Sequence, residues 1–292
     1  MNSLLRYLQG SAWAIEPAKL SAIQAFVEMR LRGDKATDEQ IAAAMNSRRK
    51  PLQQVKGSTA VLPMFGTLIQ RAGPMEKMSG AVDPAEYGRQ FDELVADDSV
   101  GAIVLHIDSP GGVVHGIPEL ANKIRSARGN KRVIAVADGL MASAAYWAGS
   151  AADEIVASPS SDVGSIGVYL MHMDVSGWEE KKGYKTTIVS AGKHKVDGHP
   201  FEPLSETAMA SLQESVNETY AAFVDAVAMN RGTTSANVRG GYGEGKVLNA
   251  EKSLAAGLVD RIATIDEVVD KLTGGNARKL NEQRRRRLAT YS

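Results

Sequence analysis

The 292-residue chain contains no cysteine, which excludes disulfide bonds, thiol catalysis and zinc sites built on cysteine. Its 34 basic and 34 acidic side chains balance, so no overall charge attracts nucleic acid or an acidic membrane surface. No run approaches the roughly 18 apolar residues that span a bilayer. Arg6 interrupts the first short apolar stretch, which makes a poor secretory signal. We therefore expect a soluble intracellular protein with no membrane or nucleic-acid partner.

Composition and apolar spacing divide the chain into three parts. Residues 1–55 are predicted to form a helical accessory segment, with one helix over Pro17–Arg30 and a capped helix start at Thr37–Ile41. The polar residues 48–58 are typical of a linker. The main domain is predicted over residues 59–272, and the basic tail 275–292, with its run of four arginines, is expected to be disordered.

Strand-like and helix-like segments alternate through the main domain, which predicts an α/β fold. A long helix after Pro203 is expected to cover one face of the sheet. The predicted strands are residues 60–66, 102–107, 132–138, 154–157, 166–172 and 186–190, and the predicted helices are residues 84–96, 117–127, 143–151, 203–230, 249–256 and 264–272.

Ser143 is the strongest candidate for a reactive side chain. The strand over 132–138 delivers it to a helix start among small residues. The turn Asp108–Gly112 follows another strand, and ligands of open α/β sheets bind beyond the carboxyl ends of strands. Glycine lets the backbone approach a substrate closely, so its N–H groups can stabilise an oxyanion. We predict a serine hydrolase with Gly112 as the first oxyanion donor and Ala144 as the second, and with Gly111 beside them.

A serine hydroxyl needs a base to become a nucleophile, and two kinds of base are available. His115, after the glycine turn, and His172, in a predicted strand, keep a Ser-His-Asp triad open. A lysine can also serve, because burial lowers the pKa of an amine. Lys195 follows the predicted strand 186–190, so it lies at a suitable strand end, and Lys193 is the second choice.

Four motifs, taken in order and spacing, resemble the signal peptide peptidase A family of Ser-Lys proteases, family S49. The resemblance covers roughly residues 59–265 and implies the fold shared by Clp proteases and crotonases, here with a helical N-terminal extension. The motifs are Asp108–Gly112, the small-residue segment Gly139–Trp147, Val163–Val168 and Ser190–Lys195.

Carried over residue by residue, the resemblance implies Ser143 as nucleophile, Lys195 as general base and Ser165 as the hydroxyl that orients the lysine amine. Val168 stands where Clp proteases have their catalytic histidine, which favours the dyad over the triad. One departure is that alanines follow the serine where the family often has glycines. Backbone N–H groups survive this change, so the oxyanion role of Ala144 is retained.

Further segments resemble the phage head maturation proteases of this family: Trp13–Leu20, Val61–Gly66, Met78–Gly80 and Gly198–Ser205. The resemblance implies action in the host cytoplasm, within the procapsid, on scaffold, coat or portal-type head proteins and on the enzyme itself. It implies no metal and no organic cofactor, and folds of this type commonly assemble, so a homo-oligomer is expected. Three alternatives are a free bacterial signal-peptide-peptidase-like protease, a crotonase-like acyl-CoA enzyme and a non-catalytic head-assembly protein.

Overall fold

The computed structural model of the chain describes residues 12–21, 54–72 and 80–273. Its strands are β1 (Trp13–Ile15), β2 (Gln54–Lys56), β3 (Thr59–Phe65), β4 (Ala102–Ser109), β5 (Gly111–Val113), β6 (Arg132–Ala142), β7 (Glu154–Ala157), β8 (Asp162–Gly164), β9 (Val247–Asn249) and β10 (Arg261–Ile262). Its helices are α1 (Pro84–Ala96), α2 (Ile117–Ser126), α3 (Ala144–Ser150), α4 (Ser176–Lys182), α5 (Glu206–Arg231), α6 (Ser235–Gly241) and α7 (Ala250–Ala256). Residues 17–21 and 265–273 are also helical.

A mostly parallel sheet forms the centre of the fold. Its strands run in the order β10-β7-β6-β4-β3-β2, and all neighbouring pairs are parallel except β2 with β3. The central strands are rich in valine, isoleucine and alanine, as expected of strands buried on both faces. β6 extends beyond the end of β7, and its last residues, Leu140–Ala142, pair with β8 instead. This extension carries the chain beyond the sheet to Ser143.

Helices cover one face of this sheet. Apolar side chains of α1, α2, α3 and α5 pack in one large core against the side chains of β4 at Ile103, Leu105 and Ile107. The alternate residue Val104 points to the opposite face, where it packs with Val268 of the helical residues 265–273. The predicted long helix is therefore confirmed as α5.

The predicted fold class is confirmed: the structure is α/β with a mostly parallel sheet. Five predicted helices agree with the structure to within one residue at each end, namely those over 84–96, 117–127, 143–151, 249–256 and 264–272. No helix among the described residues is both long enough and apolar enough to cross a membrane.

Two predicted strands are wrong. The segment 166–172 forms only an isolated bridge, between Tyr169 and Trp13, and the strand in this region is β8, a few residues earlier. Residues 186–190 form no strand, and Val189 is 94% exposed. Short apolar runs fit several structures, and this one pairs with no strand of the described segments.

The predicted helical segment over residues 1–55 agrees with the structure at residues 17–21, which are helical, and differs from it elsewhere in its described part. Trp13–Ile15 is a strand, the predicted helix over 17–30 is described only to residue 21, and the predicted helix start at 37–41 lies outside the described residues. Part of the predicted linker, Gln54–Lys56, is β2. The domain boundaries stay predictions, and the tail 275–292 lies outside the described residues.

Candidate active site

Ser143 sits in a strained elbow between β6 and α3. Its φ of 56° and ψ of −119° lie in a region that residues with a side chain rarely adopt, at a cost of about 1–3 kcal/mol. Neighbouring backbone holds it there: its N–H donates to the carbonyl of Gly164 at 2.7 Å, and its carbonyl accepts from the N–H of Trp147 at 2.9 Å. Such strain persists where the surroundings over-determine a conformation, which is common at functional sites.

The small residues after Ser143 allow close packing around it. Every residue of α3 is buried, and Ser143 itself is only 1% exposed. The N–H of Ala144 donates to no acceptor among the described residues. That N–H group is therefore free to bind a substrate oxygen, as its predicted oxyanion role requires.

The glycine turn lies directly against this elbow. Gly111 has a φ of 92°, and a side chain added to it would begin 2.9 Å from the nitrogen of Ala144 and 3.0 Å from the carbonyl oxygen of Ala142. The N–H of Gly111 donates to the hydroxyl of Ser109 at 3.2 Å, so this group is already engaged. Gly112, which pairs with Ala14 of β1, and Ala144 stay the two predicted donors, and sequence reasoning missed Ser109 as the acceptor for Gly111.

The segment after β8 forms the other wall of the site. The hydroxyl of Ser143 donates to the carbonyl of Gly167 at 3.4 Å, a weak contact. Ser165 is buried and has a φ of 54°, and its N–H donates to the carbonyl of Lys246 at 2.8 Å. Ser143 and Ser165 are two of the four non-glycine residues with positive φ in the described part of the chain. The structure thus brings the two predicted serines into one backbone framework.

The predicted base is not brought to Ser143. Lys195 is exposed, and neither its amine nor that of Lys193 makes a hydrogen bond or ion pair with the described residues. The predicted strand end that was to position Lys195 does not exist. Two small cavities of about 40 Å³ each adjoin the same region, along residues 196–208 and 170–173, and Ser143 lines neither.

The histidines offer no alternative base in this structure. His172 donates from Nε2 to the carbonyl of His199 at 2.9 Å, and His115 is exposed on the surface. No histidine of the described segments hydrogen-bonds to Ser143. Those segments also hold no cluster of three or more histidine, aspartate or glutamate side chains suited to a metal ion.

Arg128 anchors the far end of α3, a role that sequence reasoning missed. Its guanidinium donates to the carbonyls of Ala151 at 2.8 Å, Ala152 at 2.6 Å and Ser150 at 3.1 Å. These carbonyls end a helix and have no partners within it. Burial, with the nearby Arg125, lowers the pKa of Arg128, and the nearby Asp153 opposes that shift. The helix that begins at Ser143 is therefore fixed at both ends.

Comparison with known proteins places this geometry in a family. The model for Peptidase family S49 matches residues 125–279, more than half of the chain. The chain belongs to peptidase family S49. The S49 match contains Ser143, Ser165 and Lys195, whereas the glycine turn Gly111–Gly112 precedes it.

Individual relatives extend the similarity. A putative protease of Methanocaldococcus jannaschii is 38% identical over 65% of this chain. A head-tail preconnector protein of Enterobacteria phage P21 is 32% identical over 86% of it, and capsid assembly protease C of Escherichia phage lambda is 28% identical over 88%. The chain spans 61%, 50% and 56% of these three relatives' own lengths.

Proposed function

We propose that the chain is a serine endopeptidase that cleaves head proteins during assembly of a phage capsid. The observation that carries the proposal is the elbow at Ser143, with the unpaired N–H of Ala144 next to it and the glycine turn against it. The two phage relatives support the biological setting, because their similarity extends over 86% and 88% of the chain. Scaffold, coat or portal-type proteins, and the enzyme itself, are the proposed substrates.

The proposed chemistry is acyl transfer. A base removes the proton of Ser143, and the serine oxygen attacks the peptide carbonyl of the substrate. The N–H groups of Gly112 and Ala144 hold the negative charge that develops on that carbonyl oxygen. The leaving amine takes the proton, and water then releases the acyl group from Ser143. Lys195 is the proposed base, and Ser165 is the proposed residue that orients its amine.

This mechanism requires the segment that carries Lys195 to close against the site. A general base works within about 2.6–3.2 Å of the proton it removes, and burial favours the neutral form of a lysine amine. Residues 173–201 (the exposed arm) carry six large apolar side chains at the surface: Met173, Trp178, Tyr184, Ile188, Val189 and Phe201. Because contiguous exposed apolar surface marks an interaction site, we propose that a homo-oligomer covers the exposed arm and completes the dyad.

The dyad is tested by substitution and by active-site labelling. With a phage head scaffold protein as substrate, Ser143→Ala and Lys195→Ala are expected to lower cleavage roughly 10⁴-fold or more while circular dichroism stays unchanged. Lys193→Ala is the matched control, because it removes an equally exposed amine two residues away. A fluorophosphonate is expected to label Ser143, which neither an acyl-CoA enzyme nor a non-catalytic assembly protein requires.

A histidine mechanism would give a different pattern. If His115→Ala or His172→Ala abolished cleavage and Lys195→Ala did not, the lysine dyad would be refuted.

Assembly is tested at Val189, which is 94% exposed and so contributes little to the core of one copy. Val189→Asp is expected to reduce the oligomer to smaller species in sedimentation and to reduce labelling of Ser143, with the unfolding midpoint of the single copy unchanged. A monomeric wild-type protein that cleaves at full rate would contradict the proposed role of the exposed arm.

A further inference from the structure

The strand β1 pairs with the glycine strand β5 beside the candidate active site. The register is antiparallel, with Ala14 opposite Gly112. The flanking bonds join Glu16 N–H to the carbonyl of Pro110 at 2.9 Å and Val114 N–H to the carbonyl of Ala12 at 3.3 Å. Hydrogen-bonded pairs alternate in such a ladder, so Ala14 and Gly112 are the pair that exchanges both bonds. The N–H proposed as an oxyanion donor therefore binds the carbonyl of Ala14.

The second edge of β1 is bound as well. Trp13 and Tyr169 exchange backbone hydrogen bonds of 2.9 and 3.0 Å. Tyr169 comes two residues after Gly167, whose carbonyl accepts from the Ser143 hydroxyl. β1 thus lies in a slot (the β1 slot) whose walls are β5 and Tyr169, and both walls adjoin Ser143. Backbone pairing on an exposed strand edge is how an extended peptide binds to a sheet.

The carbonyl of Ala14 lies close to both proposed oxyanion donors. A side chain built on Gly111 would begin 2.3 Å from this carbonyl oxygen and 2.9 Å from the nitrogen of Ala144. The oxygen therefore lies on the side of Gly111 that faces the start of α3. A carbonyl of a bound substrate must reach this same place for Ser143 to attack it.

Side chains of β1 alternate in size. Trp13 and Ile15 are buried together with Leu20 and Val113 in a small apolar cluster. Ala14 points the other way, into the main core, where it is fully buried, so a larger side chain is expected to overpack this position. The β1 slot therefore fits a small residue between two large apolar ones.

One buried hydroxyl in the wall of the β1 slot lacks a hydrogen-bond partner among the described residues. The hydroxyl of Tyr169 has no hydrogen-bond partner within the described segments, and burial with the nearby Glu16 raises the pKa of Tyr169 to about 12. A buried hydroxyl without a partner is unfavourable, and water would reach it if β1 left. Loss of this unfavourable contact lowers the cost of opening the β1 slot.

We propose that β1 is a resident pseudo-substrate: it closes the peptide groove of this enzyme, and the groove takes an extended peptide with a small residue between two large apolar residues. The proposal rests on the proposed function, because it takes the cleft beside Ser143 as the place where substrates bind. Substrate binding then requires β1 to leave the β1 slot.

The test measures peptide binding to the full chain with Ser143→Ala, which removes turnover. The probe is a fluorescent peptide with the sequence of residues 11–17, followed by anisotropy. Adding Ile15→Ala weakens β1 and is expected to tighten binding roughly tenfold or more, since apparent affinity scales with the open fraction. The milder Ile15→Val is expected to give a smaller increase and covers the case in which Ile15→Ala does not fold. Val268→Ala, buried on the opposite face of the sheet, is the control and is expected to leave affinity unchanged.

The result that overturns the proposal is equal affinity with and without the Ile15 substitutions, or no saturable binding to any of them. A probe in which tryptophan replaces the central alanine is expected to bind roughly tenfold more weakly to the opened protein, and equal binding would refute the size pattern. Fluorophosphonate labelling of chains that retain Ser143, with and without Ile15→Ala, reports the proposed function separately. Binding without labelling refutes the serine mechanism alone, and labelling without binding refutes the pseudo-substrate alone.

Discussion

Gly111→Ala tests the packing of the glycine turn against Ser143. The new methyl group would lie 2.3 Å from the carbonyl oxygen of Ala14, 2.9 Å from the nitrogen of Ala144 and 3.0 Å from the carbonyl oxygen of Ala142. Displacement of β1 relieves only the first of these contacts. The positive φ of 92° costs an alanine about 1–2 kcal/mol, and overpacking against backbone adds about 1–3 kcal/mol. We expect a loss of about 2–5 kcal/mol in the free energy of unfolding.

The control for this prediction is Gly129→Ala. Gly129 has a similar φ of 84°, but a side chain there would meet nothing within 4 Å. It therefore isolates the backbone cost of about 1–2 kcal/mol. Urea denaturation of both variants measures the difference between their free energies of unfolding. Fluorophosphonate labelling of Ser143 is expected to fall roughly 10²–10³-fold for Gly111→Ala alone, because the N–H donor of Ala144 moves. Two variants that unfold within about 0.5 kcal/mol of each other would refute the argument.

Three further predictions concern contacts away from the reacting atoms. Arg128→Met is expected to cost about 2–4 kcal/mol in urea denaturation, because it removes the donor to four carbonyls, those of Ser150, Ala151, Ala152 and Asn230, whereas Arg89→Met, at an exposed site, should be neutral. Tyr169→Phe is expected to be neutral or stabilising in thermal unfolding, whereas Tyr146→Phe loses a 2.9 Å bond to the Leu258 carbonyl and about 1 kcal/mol. Desolvation would raise the pKa of Asp260, but bonds from Arg231 and the Ile155 N–H outweigh it and lower that pKa. The ionised Asp260 therefore stabilises the fold at pH values above its unfolded pKa of about 3.9, and this stabilisation is lost as the pH falls through the lower folded pKa. Unfolding midpoints measured from pH 2 to 7 should show this loss in the unsubstituted chain and not in Asp260→Asn.

Elements with complete local signals could be predicted from the sequence. The helix α1 is an example: the side chain of Asp83 accepts from the N–H of Ala85 at 2.9 Å, a proline follows this cap, and Tyr87, Phe91 and Leu94 form one buried face. Cap, proline and spacing all lie within one short stretch of chain. The prediction for this helix therefore matches its bounds.

Elements that depend on distant partners could not be predicted in this way. The strand β6 was expected to end at residue 138. The strand continues because its last residues pair with β8, and Gly139 takes a φ of 105° beside the carboxylate of Asp108. β1 is three residues long and pairs with a strand about a hundred residues away, so no local pattern distinguishes it from the start of a helix.

The candidate site also has one part that local sequence signals predict and one part that depends on distant partners. Ser143 and the glycine turn were identifiable because each combines glycine or small residues with a strand end, whereas Ser165 was identified only by the family resemblance. The structure brings these three segments together. The position of Lys195 was expected from a strand that does not form. Among the described residues, the large apolar side chains of the exposed arm that carries it stay at the surface, so its sequence alone could not position the amine.

The serines of the candidate site are fixed within the sheet, whereas the exposed arm and β1 lie at its margin, and this difference suggests where activity is controlled. Ser143 and Ser165 are fixed in unfavourable backbone conformations by carbonyls of Gly164 and Lys246, which lie within the β8–β9 region of the folded sheet. That part is formed before any substrate or second copy binds. The proposed base, Lys195 on the exposed arm, and the strand in the β1 slot each lie at the margin of the fold. Because a preorganised nucleophile without a base is inactive, arm closure and β1 release would together determine when Ser143 reacts.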